Sequence, residues 1–128
     1  MHPNEQILRD CYEAFGRRDI PGLLSLCSDD IAFRIPGSSV QSGTFAGREE
    51  AARYFSIVQK HTAGTHRLEV LDVLANDARA IALVRALGER GDDVFDMTVV
   101  QICAITDGKV TEVRIIPTDQ YAFDAFWS

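Results

Sequence analysis

The chain is acidic and of ordinary globular composition, and its charge excludes several classes of partner. It has 128 residues, of which 46% are hydrophobic and 25% charged, so we expect one domain spanning residues 1–128. The net charge of −6 disfavours nucleic acids and anionic membrane surfaces as partners, because both are bound through lysine and arginine.

The three cysteines indicate a reducing environment rather than a disulfide framework. Cys11, Cys27 and Cys103 are odd in number, far apart and set among apolar neighbours, which is typical of buried free thiols. Residues 1–10 lack the basic segment followed by an apolar stretch that marks a secretory signal. We therefore expect a cytoplasmic protein without a cofactor, and no spacing of His, Cys, Asp and Glu predicts a metal site.

The first half of the chain predicts three helices and one strand. Apolar side chains at helical spacing predict an amphipathic helix over residues 4–15, and Asp19 predicts the N-cap of a short second helix. Alternating apolar side chains predict a strand over residues 31–35. A polar loop then runs to Gly47, and an apolar stripe predicts a third helix over residues 48–60.

The second half predicts four antiparallel strands. The hydrophobic period changes from 3.6 to 2, which predicts strands over residues 66–75, 79–87, 94–106 and 109–116. The dipeptide Asp107-Gly108 favours a tight hairpin, because both residues tolerate a positive φ. We expect an α+β fold in which three N-terminal helices pack on the concave face of a cone-shaped, curved antiparallel sheet. The aromatic tail is expected to pack against it.

Four sequence strings resemble the NTF2-like superfamily, in particular its SnoaL-like and ketosteroid-isomerase-like branch. They cover nearly the whole chain and read CYEAFGRRDIPGLLSLCSDDIAFRIPG, SGTFAGREEAARYF, VLANDARAIALVRALGERG and ITDGKVTEVRIIPTDQYAFDAFW. The resemblance implies a conical pocket for a small hydrophobic molecule. Because the superfamily includes isomerases, polyketide cyclases, dehydratases, epoxide hydrolases and proteins that only bind, the resemblance leaves the reaction open.

The catalytic residues of the ketosteroid isomerases are not kept in this sequence. Their first-helix tyrosine falls on Cys11, next to Tyr12, and their general-base aspartate falls on Ile35, directly before Pro36. Their protonated aspartate, the second donor to the enolate oxygen, falls on Gln101. The resemblance therefore implies the pocket without the steroid-isomerase mechanism.

Gln101 interrupts an apolar strand and is the first candidate for ligand binding. Alternation along the strand places it on one face with Val99 and Cys103, the face that carries pocket side chains in the family. Its amide has no titratable proton, so it cannot act as a general base. It could bind a ligand carbonyl or hydroxyl, or bond a neighbouring core side chain. The expected ligand-binding residues are Gln101, Tyr12, Tyr54, Cys11, Phe33, Ile35, Val99, Cys103 and Val113.

Two side chains are candidates for acid–base catalysis. His66 could carry a proton near neutral pH, or it could be a rim residue at the end of a strand. Asp119 follows the last strand, where the family's chain lies near the cavity mouth, or it could cap a turn or helix in the tail. An enzyme of the isomerase, cyclase or dehydratase type would need such a group near Gln101.

The opposite face of the sheet is expected to be apolar and uncovered, because helices can cover only one face. Exposed patches of that kind mark interfaces, so we expect a homodimer through this face. It carries Thr98, Val100, Ile102, Ala104, Leu83, Leu87 and Ile116.

Three functions stay open at this point. They are a proton-transfer enzyme, a non-catalytic binder of a small ligand, and a dimeric interaction module with a vestigial pocket. A ligand pocket would measure about 300 Å³ or more, whereas a vestigial one would be filled by Phe33, Phe55 and Trp127.

Overall fold

The computed structural model describes residues 1–128 as four helices and one six-stranded sheet. The α+β class and the N-terminal helices packed against a curved sheet agree with the sequence prediction. The elements are α1 (Pro3–Gly16), α2 (Ile20–Ser25), β1 (Cys27–Ile35), β2 (Gly43–Ala46), α3 (Arg48–His61), β3 (Arg67–Ala75), β4 (Arg79–Arg90), β5 (Asp93–Thr106), β6 (Lys109–Pro117) and α4 (Gln120–Phe126). No helix is long and apolar enough to cross a membrane.

The strands lie in the order β2-β1-β6-β5-β4-β3. Neighbouring strands are antiparallel, with one exception that the sequence did not predict: β1 runs parallel to β6, with Phe33 opposite Val113. Register shifts interrupt β3 between Val70 and Asp72 and β5 next to Ile105. Shifts of this kind bend a strand and increase its twist, so the long strands curve around the helices.

Local sequence signals set several of the element boundaries. The Asp19 carboxylate accepts a hydrogen bond from the Gly22 N–H (2.9 Å), so the predicted N-cap of α2 is confirmed. Asp107 and Gly108 adopt φ values of 51° and 76°, as the predicted β5–β6 hairpin requires. Strand β2 was missed, because its four residues have no periodicity of their own and are held by pairing with β1. Strand β1 also begins earlier than predicted, at Cys27.

The C-terminal segment forms α4 and packs into the space between the helices and the sheet. Phe123 and Trp127 are buried, and their rings lie 5.9 and 5.6 Å from that of Phe95 on β5. The Val40 N–H, in the loop between β1 and β2, donates to the Trp127 carbonyl (2.9 Å). The expectation that the aromatic tail packs is therefore met, and α4 with residues 36–42 covers one end of the interior.

Candidate functional site

Two small cavities lie between the helices and the concave face of the sheet. The first, of about 40 Å³, is lined by Trp127 and is called the Trp127 cavity below. The second, of about 50 Å³, is lined by Cys103 and is called the Cys103 cavity. Four side chains line both cavities and form the wall between them: Phe15, Phe55, Leu68 and Gln101.

Gln101 is the polar member of this shared wall. The Tyr12 hydroxyl, on α1, donates a hydrogen bond to its Oε1 at 2.6 Å. Its Nε2 has no hydrogen-bond partner in the protein, and a water-sized atom can reach it. The two predicted roles of Gln101 therefore fall on different atoms. Its carbonyl oxygen bonds a core side chain, and its amide hydrogens are free to bind a ligand.

A second tyrosine–glutamine pair lies at the Trp127 cavity. The Tyr54 hydroxyl, on α3, donates to Oε1 of Gln41 at 3.1 Å, and the Gln41 Nε2 has no protein partner. Gln41 is buried although it belongs to the loop between β1 and β2. Its burial was not predicted, because a glutamine in a polar loop carries no signal of burial. Burial raises the pKa of both tyrosines well above their usual value, so both hydroxyls stay protonated.

His66 lines the Trp127 cavity and is neutral at physiological pH. It is buried, and the centroid of its ring lies 5.9 Å from that of Phe15 and 5.2 Å from that of Trp127, in T-shaped arrangements. Burial lowers its pKa to about 4, against the smaller opposing effect of a hydrogen bond to the Leu87 carbonyl. Because the carbonyl oxygen must accept, Nδ1 carries the proton and Nε2 presents a lone pair.

Trp127 is a site residue that the sequence analysis did not assign to ligand binding. Its side chain is 0% exposed, and its Nε1–H has no hydrogen-bond partner in the protein. The tail's aromatic content predicted packing for this residue but gave no sign of an unpaired donor inside the fold.

The cysteines and Phe33 form apolar walls of the Cys103 cavity. Cys11, Cys27, Cys103, Phe33 and Val113 all line it. Burial raises the pKa of Cys27 to about 11 and that of Cys103 to about 12, and it raises that of Cys11 further. The three thiols are free and stay protonated, so they act as small apolar groups rather than nucleophiles.

Two of the predicted site residues lie outside both cavities. Asp119 is exposed and is the N-cap of α4, where its carboxylate accepts a hydrogen bond from the Ala122 N–H at 3.0 Å. Asp119 therefore has the capping role that was its alternative assignment, and it lines neither cavity. Ile35 is a buried member of the hydrophobic core but lines neither cavity; it lines a surface groove beside Arg34 and Arg114. The other nine predicted residues, including Val99 at the Trp127 cavity, line one or both cavities.

The interior presents only uncharged hydrogen-bonding groups. No lysine, arginine, aspartate or glutamate lines either cavity, and no cluster of three or more His, Cys, Asp or Glu side chains could hold a metal ion. Both cavities are smaller than the expected pocket and smaller than an apolar cavity of about 150 Å³ that accepts benzene. As they stand, they could hold a few waters or one small polar group.

The outer face of the sheet is uncovered and largely apolar. Ile81, Leu83 and Ile116 are 36%, 39% and 43% exposed, and no helix lies over them. Arg85 beside them makes a two-pronged ion pair with Asp96, at 2.6 and 2.8 Å. Leu87 was predicted to belong to this exposed face. The prediction is wrong, because the residue is only 7% exposed.

Comparison with known proteins gives the family. Bal32a, from a soil-derived mobile gene cassette, is 31% identical and superposes with a TM-score of 0.94 over 98% of this chain and 97% of its own. A Xanthomonas campestris protein with a cystatin-like fold is 26% identical, with a TM-score of 0.91 over 100% and 99% of the two chains. An uncharacterised protein of Mycobacterium tuberculosis is 25% identical over 95% of this chain and 94% of its own.

The family model for the SnoaL-like domain matches residues 8–113, which include both tyrosine–glutamine pairs and His66. This match spans most of the chain and includes β1 to β5 and the first half of β6. The chain therefore belongs to the SnoaL-like domain family.

Proposed function

We propose that this protein binds a small, uncharged, mostly apolar molecule between its helices and the concave face of the sheet. The observation that carries the proposal is the free Nε2 of Gln101, which lies in the wall shared by two otherwise apolar cavities. The Tyr12 hydroxyl fixes the orientation of this amide by bonding its oxygen. The two amide hydrogens are thereby held ready for a ligand carbonyl or hydroxyl.

Binding requires the two cavities to merge and expand. Phe15 and Phe55 line both cavities, and a change in their rotamers would join the two spaces. A molecule that spans both cavities would contact Gln101 at its centre. This requirement limits the ligand to a compact molecule, because α4 and the loop of residues 36–42 cover one end of the interior.

A lysine, arginine, aspartate or glutamate would be needed nearby to compensate a buried charge on the ligand. None lines either cavity, so the proposed ligand is uncharged. This excludes carboxylates and phosphates from the interior and favours ketones, phenols and similar neutral molecules.

A second candidate function is proton transfer by His66. It is favoured by the unprotonated Nε2 in the same cavity as Gln101. The low pKa opposes it, since a general base works best when its pKa is near the working pH. We therefore place binding first and give His66 the role of a hydrogen-bond acceptor.

The binding proposal is tested with three uncharged aromatic probes: benzene, acetophenone and 2-naphthol. The readouts are the fluorescence of the only tryptophan, Trp127, and the methyl resonances of the interior. Saturable binding of at least one probe is expected, and Gln101→Leu should weaken binding of the two oxygen-containing probes about tenfold.

The matched control is Thr98→Val, on the outer face of the same strand, which should leave every affinity unchanged. Absence of saturable binding by all three probes would overturn the proposal in favour of a vestigial pocket. An unchanged acetophenone affinity in folded Gln101→Leu would remove Gln101 from the site.

We also propose a homodimer through the outer face of the sheet. The apolar side chains Ile81, Leu83 and Ile116 are flanked by both signs of charge, from Arg85 and Asp96, so two copies related by a twofold axis can pair unlike charges. Sedimentation at micromolar concentration should give a dimer, which Leu83→Arg dissociates. Tyr121→Arg, on exposed α4 surface, is the control, and a monomeric wild type would contradict the proposal.

A further inference from the structure

The indole N–H of Trp127 is a buried hydrogen-bond donor without a protein acceptor. The side chain is 0% exposed, lines the Trp127 cavity and lies at the end of α4. Buried donors without partners are rare in native proteins, because the lost hydrogen bonds to water are not compensated. The position of this donor therefore indicates that an acceptor atom belongs beside it.

The two cavities differ in polarity. Gln41, His66 and Trp127, each with a polar side-chain atom, line the Trp127 cavity and not the Cys103 cavity. In the Cys103 cavity the walls away from Tyr12 and Gln101 are apolar and include three protonated thiols. Polarity therefore decreases from one cavity to the other, with the Gln101 amide at the boundary.

Three donors at the polar end have no protein acceptor. Nε1 of Trp127 and Nε2 of Gln41 and Gln101 can donate, whereas Nε2 of His66 is the one nitrogen with a free lone pair. A ligand that satisfies most of these groups must present acceptor oxygens to them. Because no cation faces the cavity, these oxygens belong to an uncharged group.

We propose that the Trp127 indole N–H binds an acceptor oxygen at one end of the ligand and that the apolar body lies in the Cys103 cavity. Trp127 thereby selects for a polar end group and fixes the direction in which the molecule enters the fold. This inference rests on the proposed function, since it names the orientation of a ligand in the same interior.

The test compares acetophenone with α-methylstyrene, in which a methylene group replaces the carbonyl oxygen. The wild-type protein should bind acetophenone about a hundredfold more tightly, because its carbonyl oxygen has two lone pairs and can accept one hydrogen bond from Gln101 and one from Trp127, each worth about tenfold. Since Trp127 is the only tryptophan, its indole gives one N–H resonance in a nitrogen–proton correlation spectrum. That resonance should move downfield with acetophenone and not with α-methylstyrene.

Trp127→Phe keeps an aromatic ring and removes the donor, so it should reduce the preference for acetophenone about tenfold and leave the part that Gln101 supplies. Val58→Ala changes the volume of the same cavity without a polar group and is the control, expected to keep the preference. Thermal unfolding establishes that both variants are folded. The wild-type indole resonance decides the question if Trp127→Phe does not fold.

The outcomes separate this inference from the proposed function. If both probes bind equally and the indole resonance stays in place or moves alike for both, the orientation is wrong while interior binding stands. If neither probe binds, and benzene and 2-naphthol also fail to bind, the proposed function fails and this inference fails with it.

Discussion

The buried His66 gives the protein a pH dependence of stability that can be worked out from the structure. Burial lowers its pKa from 6.5 to about 4 in the folded protein, so between these values the unfolded chain binds a proton that the folded protein does not. Unfolding therefore takes up a proton, and the free energy of unfolding falls as the pH falls through this window.

The expected size follows from the two pKa values. The loss is about 1.4 kcal/mol at pH 5.5 and about 3 kcal/mol at pH 4, relative to pH above 7. Urea unfolding between pH 4 and 7.5 measures it, and His66→Asn isolates it from the carboxylates that titrate in the same range. The wild type should lose this much more stability than the variant on acidification.

A direct measurement accompanies the unfolding experiment. The ring resonances of His66 should titrate with a midpoint near pH 4, or stay unchanged until the protein unfolds. A midpoint near 6.5 would refute the buried, neutral imidazole. It would then restore His66 as a general base and favour the enzyme over the binder.

Three further predictions follow from packing and capping. The thiols of Cys11, Cys27 and Cys103 should be inert to a thiol-specific reagent in the folded protein and all react in denaturant, because they are buried and protonated; rapid reaction of any one would contradict this. Leu68→Ala removes part of the wall between the two cavities. It should lower the free energy of unfolding by about 2 kcal/mol and tighten benzene binding. Unchanged benzene binding would show that the wall does not limit entry. Asp119→Ala should destabilise the protein by about 1 kcal/mol through loss of the α4 cap and leave probe affinities unchanged, and a large loss of binding would restore its role in the site.

The sequence predicted the site best where a short-range pattern determines geometry. Alternation along one strand placed Gln101 on the same face as Val99 and Cys103, and the structure gives all three to the interior. The cap at Asp19 and the hairpin at Asp107-Gly108 are likewise decided by neighbouring residues. Such features are determined by a few neighbouring residues, so residue type and hydrophobic period are enough to predict them.

Features that depend on distant residues could not be read in this way. The partner of Gln101 lies 89 residues away on α1, and that of Tyr54 lies in a loop without periodicity. Cavity volume depends on how Phe15, Phe55 and Leu68 pack against one another. At Asp119 the local cap pattern is confirmed, whereas its expected place at the cavity, which depends on distant residues, is not found, because Asp119 lines neither cavity.

Location of a bound probe is the most direct test of ligand binding in the interior. Acetophenone bound to the protein should give intermolecular nuclear Overhauser effects to the methyl groups of Val99 and Val113, which line the two cavities. The same experiment reports on Leu83 and Ile116 of the outer sheet face. Contacts to the first pair are the expected result, and contacts confined to the second pair would contradict a ligand site between the helices and the sheet.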